Sequence, residues 1–191
     1  MTGAGRFLSV SMIIVALAVS IGALSGCGKT ETKGNEVYIG NGVTFRYPHG
    51  WRQIKPQALA KRGLWTAMIT PPGSSDADVV FLTEYRTPKA ITKKTLASKK
   101  PGITSTVAGV AQGAGGALLA GPTPVEMGSL PGYAFKVGVI LSKNRPGASR
   151  LVLVWKGKRE YFLNCQHLTK GTLGPEIERG CKMIVASFKL R

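Results

Sequence analysis

Apolar and polar positions fall into three regimes along the chain. The first is a run, Phe7 to Ala23 (FLSVSMIIVALAVSIGA), of 17 residues without a charge. A membrane-crossing helix needs about 20 apolar residues and a core strand about four to eight, so this run fits neither and suits the apolar core of an export signal. The second regime is alternation. Val43, Phe45 and Tyr47 alternate with Thr44 and Arg46, which predicts a strand with one buried face. Val37–Gly40 precedes it across Asn41-Gly42, and together they predict a two-residue hairpin. Further strands are expected over Leu64–Thr70, Asp78–Arg86, about Val125–Met127, and Tyr133–Leu141. RLVLVWKG and REYFLNCQ read as a second hairpin turned near Gly157-Lys158. Turns or loops are expected at Pro71-Pro72-Gly73, at Leu130-Pro131-Gly132, and over NRPGAS.

The third regime has helical spacing. PQALAKRG (56–63) suits a short helix with Pro56 in its first turn. A helix is expected from Pro88 to Lys100, where Lys89, Lys93 and Lys100 would fall within about 40° of one another. Pro175 opens a last helix in which Ile177, Cys181, Ile184 and Phe188 recur at spacings of four, three and four. Glu176 and Glu178 suit the positive end of its dipole. Between the last two helices, Pro101 to Val125 carries no charged side chain and is rich in Gly and Ala. It reads as a partly buried, glycine-loosened helix end and loop; the alternative is a segment dipping into lipid head groups.

Ala23–Thr30, ALSGCGKT, fits the relaxed pattern of a phosphate-cradling loop. Such a loop needs a buried strand before it and a helix after it. Here the preceding run is too long for a strand, and Gly34 and Asn35 follow without an apolar helical face. The nucleotide-binding reading fails on context. A positive start (Arg6), an apolar core and small residues make an export signal instead. Leu24-Ser25-Gly26-Cys27 resembles the lipobox of bacterial lipoproteins, which implies that Cys27 is diacylated on sulfur and becomes the new N-terminus. A plain signal peptide or a single N-terminal membrane anchor is the rival. The division expected is residues 1–26 as signal, 27–36 as acylated Cys and tether, and 37–191 as one folded domain.

Composition sharpens this. The 191-residue chain carries 26 Lys and Arg against 9 Asp and Glu. Without residues 1–26, 165 residues remain with 25 basic and 9 acidic side chains, a formal +16. Such charge attracts anionic surfaces over long range. For an exported chain these are phospholipid head groups and acidic wall polymers rather than nucleic acid. Three cysteines is an odd number; if Cys27 carries lipid, Cys165 and Cys181 remain, and outside the cytoplasm such a pair oxidises.

VTFRYPHGW near the start and CKMIVASF near the end resemble the two ends of PsbP-like domains, as in the extrinsic photosystem II subunit and LpqN/LpqT-type actinobacterial lipoproteins. The matching residues are Phe45, Tyr47, Pro48, Gly50 and Trp51, then Ile184, Ser187 and Phe188. The resemblance implies an α+β fold, an α/β/α sandwich around a mainly antiparallel sheet, and a binding or assembly role without a cofactor.

Catalytic chemistry finds little support. Ser74-Ser75 with Asp76 and Asp78 read as a turn rather than a triad. His49 sits in a turn beside Trp51 with no partner visible in the sequence. Cys165 and His167 would be half a metal site, but the chain has only two histidines, so no metal is expected. The functional expectation is a lipid-anchored, extracytoplasmic binding or assembly module for an anionic lipid, a wall polymer or an envelope protein, contacting it through Lys89, Lys93 and Lys100. A carrier of lipid or a small hydrophobic ligand is the first alternative, and an envelope hydrolase the second.

Overall fold

The computed structural model describes residues 34–54, 66–141 and 144–191; the apolar run, Cys27 and the helix expected over 56–63 lie outside the described residues. Among the described residues the elements are β1 (Glu36–Gly40), β2 (Val43–Tyr47), β3 (Arg52–Ile54), β4 (Thr66–Thr70), β5 (Val79–Ile91), α1 (Lys93–Gly113), β6 (Ala117–Met127), β7 (Leu130–Leu141), β8 (Arg145–Leu168), α2 (Gly174–Ser187) and β9 (Lys189–Leu190). A six-stranded sheet runs β3-β4-β5-β8-β7-β6, and a three-stranded sheet runs β1-β2-β9; every pairing is antiparallel. Helix α1 covers one face of the large sheet, and α2 with the small sheet covers the other. The result is an α+β sandwich, as the resemblance to PsbP-like domains implied.

The first hairpin forms as its alternation requires. Val43, Phe45 and Tyr47 are buried, and Asn41 and Gly42 take φ of 49° and 75° at the turn. β8 is continuous in its hydrogen bonding but is not straight. Its first arm pairs with β7 from Arg145↔Leu141 to Val154↔Gly132, and its second pairs with β5 from Arg159↔Arg86 to Gln166↔Val79. Thr169 N donates to Pro146 O at 3.1 Å, and Trp155 Nε1 donates to Glu160 Oε2 at 3.0 Å. Both contacts require the chain to reverse between those residues, and it does so at Gly157, whose φ is 62°. The hairpin expected at Gly157-Lys158 is therefore present within one extended run.

Four expectations are corrected. The helix expected to start at Pro88 starts at Lys93, because β5 continues to Ile91 and Thr92 forms a reciprocal cap with Thr95 (Thr92 N to Thr95 Oγ1, 3.0 Å). It also runs past Lys100 to Gly113 despite Pro101, whose missing N–H costs a helix about 3 kcal/mol. Burial of Leu96, Val107 and Ala111 against the sheet offsets that cost. The glycine-rich stretch then ends the helix cleanly: Gly115 takes φ 71°, Gly116 N bonds Ala111 O and Gly115 N bonds Gln112 O, both at 2.9 Å. What was expected as a loop after it is the edge strand β6, where Pro122 and Pro124 cost no ladder bonds on the outer side. The turn expected at Leu130-Pro131-Gly132 lies instead at Gly128-Ser129, since Met127 pairs with Leu130. Finally, NRPGAS is strand from Arg145 onward, held by its ladder to β7.

The core divides at the sheet. On the α1 side it contains Phe135, Leu151, Trp155 and Phe162. On the α2 side it contains Phe45, Trp51, Tyr161, Leu163, Ile177, Ile184 and Phe188, together with the Cys165–Cys181 disulfide. Trp51 lies against Gly180, where a Cβ would approach Trp51 Cη2 to 2.3 Å. Its indole N–H donates to Glu176 Oε1 at 2.9 Å.

Gly180→Ala is expected to destabilise the fold by about 1–3 kcal/mol, because the ring cannot retreat without losing its packing. Gly109→Ala, on α1 with nothing within 4 Å, is expected to stabilise it by about 0.5–1 kcal/mol. Urea denaturation of the two variants reads both signs. Reduction of the disulfide, which spans 16 residues of sequence, is expected to cost about 3 kcal/mol in the same assay.

A candidate anionic-surface interface

Topology collects cations at one end of the sandwich. The β8 reversal, the end of β5, the start of α1 and β9 all lie there, as the pairings Arg86↔Arg159, Ile91↔Gly157 and Thr44↔Lys189 show. This pole carries Arg86, Lys89, Lys93, Lys94, Lys156, Lys158, Arg159, Lys189 and Arg191, against the carboxylates Glu84, Glu126 and Glu160. The opposite pole holds Glu36 at the start of β1, Asp76 and Asp78 in the β4–β5 loop, and Glu176 and Glu178 at the start of α2, together with the cations Arg46, Arg52, Arg145 and Lys170. Among the described residues, cations are thus in clear excess at the first pole and nearly balanced by acids at the second.

Of the three lysines expected to share a helix face, Lys93 and Lys100 do lie on α1. Lys89 does not, because it belongs to the frayed end of β5. The pole still gathers Lys89 and Lys93, while Lys100 sits nearly two turns along the helix. Lys93 and Lys94 occupy the first turn with no acidic residue there, opposite to what the helix dipole favours. Two positive features are thereby concentrated at one point. Sequence reasoning missed Arg86, Lys94, Lys156, Lys158, Arg159, Lys189 and Arg191. The available signal was that WKGKRE places three cations around a turn and KLR follows the last helix.

The remaining candidates resolve into structural roles. Asp78 is buried; its Oδ2 accepts from Ser75 Oγ at 2.6 Å and its Oδ1 from Leu168 N at 3.0 Å. Thr70 Oγ1 donates to Asp78 O at 3.0 Å and also bonds Ser74. Asp76 pairs with Arg145 at 2.6 Å. This serine–aspartate loop therefore ties β4, β5 and β8 together. Cys165 is bonded to Cys181, which removes its sulfur from any metal site, and His167 Nδ1 lies 3.1 Å from Leu168 O. His49 corrects an expectation: it has a partner, with Nδ1 2.7 Å from Glu36 Oε1, but each side chain is 42% exposed. Cys27 lies outside the described residues.

Titration is perturbed beneath the basic pole. Burial pushes the Glu160 carboxyl upward, with the Trp155 indole hydrogen bond pulling against it. Burial likewise raises the Tyr161 phenol, opposed by its hydrogen bond to Arg159. Among the described residues no helix is long and apolar enough to cross a membrane.

The sequence matches no protein-family model and no curated protein. The structure is similar to that of cyanobacterial PsbP (CyanoP) from Synechocystis sp. PCC 6803, at a TM-score of 0.55 and 16% identity, over 88% of this chain and 99% of that one. It is also similar to a protein of Bacteroides thetaiotaomicron VPI-5482 at 0.50 and 11%, over 81% of this chain and 48% of that one, so this chain spans about half its length. LpqN of Mycobacterium tuberculosis, described as involved in cell envelope biogenesis, aligns at 0.49 and 13% over 83% and 86% of the two chains. At these identities the likeness is one of fold: the chain has a PsbP-like fold.

Glu160→Gln keeps an acceptor for Trp155 and removes the buried charge. A raised folded pKa means that the wild-type protein gains stability as pH falls through it and has the full gain below the unfolded carboxyl range. The variant is therefore expected to melt higher than wild type at pH 7 and to match it at pH 4. Melting curves at the two pH values check the sign.

Proposed function

We propose that this PsbP-like chain is a non-catalytic extracytoplasmic module, held to the membrane by lipid on Cys27, that docks its basic pole on an anionic component of the cell envelope. The observation that carries this reading is the uneven spread of charge: nine cations against three acidic side chains at one pole, and near balance at the other. Each Lys or Arg near an anionic surface contributes about 1 kcal/mol, so a patch of this size binds through many weak contacts.

The placement of the anchor supports a choice of target. β1 starts at the acidic pole, where Glu36 pairs with Tyr47, and runs toward the basic pole at Gly40. The nine steps of chain from Cys27 to Glu36 reach at most about 30 Å when fully extended. A β8 arm alone spans about 35 Å. A lipid at Cys27 thus places the acidic pole toward the membrane and the basic pole away from it. An acidic wall polymer or an acidic partner protein fits that orientation better than head groups of the same leaflet.

A lipid or hydrophobic-ligand carrier would need a deep apolar cavity. The groove between α1 and the β6–β7 hairpin, about 330 Å³, touches Leu96, Val125 and Tyr133 but is flanked by Lys93 and Glu126. It lies near the lower limit for small-molecule sites, which leaves the carrier reading secondary.

Lys156→Glu with Lys158→Glu should weaken binding of the full-length protein to isolated anionic wall polymer by about tenfold or more at 150 mM salt. Reversing Lys170 and Arg179, away from the pole, should have much less effect. Binding should also fall steeply with added salt, since exposed charges are screened over about 8–10 Å. Equal losses from both pairs of reversals, or binding indifferent to salt, would defeat this assignment.

A further inference from the structure

Within the basic pole the sheet itself holds a row of like charges. Arg86 on β5 stands directly opposite Arg159 on β8, and Lys156 stands beside Arg159 across the Gly157-Lys158 reversal. Alternation fixes their side. Leu82, Val154 and Tyr161 are buried on the α2 face, so Lys156 and Arg159, each two residues away, and Arg86, four away, project on that face too. Like charges directly opposite one another destabilise a sheet, and three in a row are not a product of folding preference. Glu84 relieves part of this through Arg159, at 3.7 Å.

A cleft of about 290 Å³ opens over the row, lined by Gly42, Lys156, Arg159, Tyr161, Leu190 and Arg191. Its far wall is built by β9 and the residue after it. β9 pairs with β2 through Val43↔Leu190, and Arg191 N donates to Gly42 O at 2.8 Å, which sets the Arg191 side chain at the rim. Its lining holds Lys156, Arg159 and Arg191 and no acidic side chain, with Glu84 beside Arg159, so the cleft keeps a net positive charge. Tyr161, 1% exposed and with its phenol kept protonated by burial, forms part of the lining.

We propose that this cleft is a one-to-one binding site for a phosphoryl group carried on a small alcohol or sugar, gripped by Lys156, Arg159 and Arg191. Two guanidinium groups and an ammonium, from the two sides of the β8 reversal and from the residue after β9, match the several oxygens of a tetrahedral anion. The volume exceeds a bare phosphate and leaves room for the group that bears it. This assignment rests on the basic pole of the proposed function but adds a stoichiometric site to it.

Calorimetric titration of the full-length protein, in a neutral maltoside detergent, with glycerol 1-phosphate and with inorganic phosphate tests it. Saturable one-to-one binding of glycerol 1-phosphate is expected, weakened about tenfold or more in Lys156→Gln/Arg191→Gln and changed by less than about twofold in Lys93→Gln/Lys94→Gln, which removes the same charge elsewhere on the pole. Lys156→Gln alone lies at an exposed turn and should melt higher than wild type without ligand, since it relieves the row, while losing much of the melting shift that glycerol 1-phosphate confers. Phosphatidylglycerol vesicles in place of the soluble ester, with phosphatidylcholine as control, separate a lipid-borne from a soluble ligand: the same variant dependence in vesicles supports the lipid source, and its restriction to the soluble ester supports the other. No saturable binding of either form, or equal loss in both double variants, overturns the site. Wall-polymer binding that persists in Lys156→Gln/Arg191→Gln, with saturable ester binding absent in wild type, would remove the cleft and leave the proposed function standing.

Discussion

Seating the closing helix on the sheet is the constraint from which the rest follows. α2 meets the sheet through three fixed points along its length: Glu176 on the Trp51 indole, Cys181 bonded to Cys165, and Phe188 against Tyr161 with ring centroids 5.4 Å apart. Each lies about one to two turns from the next, so the helix can neither slide nor roll. Burial of Phe188 and Trp51 also draws in the small sheet, because β2 packs beside α2 and Arg46 N donates to Ser187 Oγ at 2.8 Å. Only with α2 in this seat does the chain emerge as β9 alongside β2 and bring Arg191 over the β8 reversal. Core packing thus sets the position of surface charge.

The same topology explains why the charge is polarised. Antiparallel strands return each turn to one of two ends, and the β8 reversal, the β6–β7 turn and the β5–α1 junction share an end. Cations scattered over a hundred residues of sequence are therefore neighbours in space. At the opposite end the acids act mainly on the fold. Asp78 closes the β4–β5 loop onto β8, and Glu176 serves both the helix dipole and Trp51. One pole has spent its charges on structure, whereas the other keeps them facing solvent.

What was legible in the sequence is what short-range physics determines. The Asn-Gly hairpin, the alternation Val43-Phe45-Tyr47, the reversal at Gly157-Lys158 and the inward stripe Ile177-Cys181-Ile184-Phe188 all depend on local geometry and one buried face. Pairing of Cys165 with Cys181 followed because that stripe faces the strand preceding it. Misplaced elements share the opposite property. Pro88, Pro101 and Pro131 each read as a boundary, yet all three lie inside strands or a helix held by tertiary packing. Gly128 rather than Pro131 marks the turn because the ladder register of β6 on β7, a long-range property, decides it. The cationic row was illegible for the same reason: Arg86 and Arg159 are 73 positions apart and become neighbours only through the β5–β8 ladder.

Net charge alone is a poor guide to what such a surface recognises. At physiological salt the field of the pole decays over about 8 Å, so it can attract an anionic envelope without distinguishing one polymer from another. Discrimination has to arise where groups meet within a few ångströms and water is partly excluded. The cleft is such a place: its lining includes the buried Tyr161, and its cations flank the β8 reversal and follow β9, whose pairing with β2 holds Arg191 in position. An evolved surface that needed only attraction would spread its lysines to minimise their mutual repulsion. Setting Arg86, Arg159 and Lys156 side by side costs stability and gains nothing until an anion sits between them.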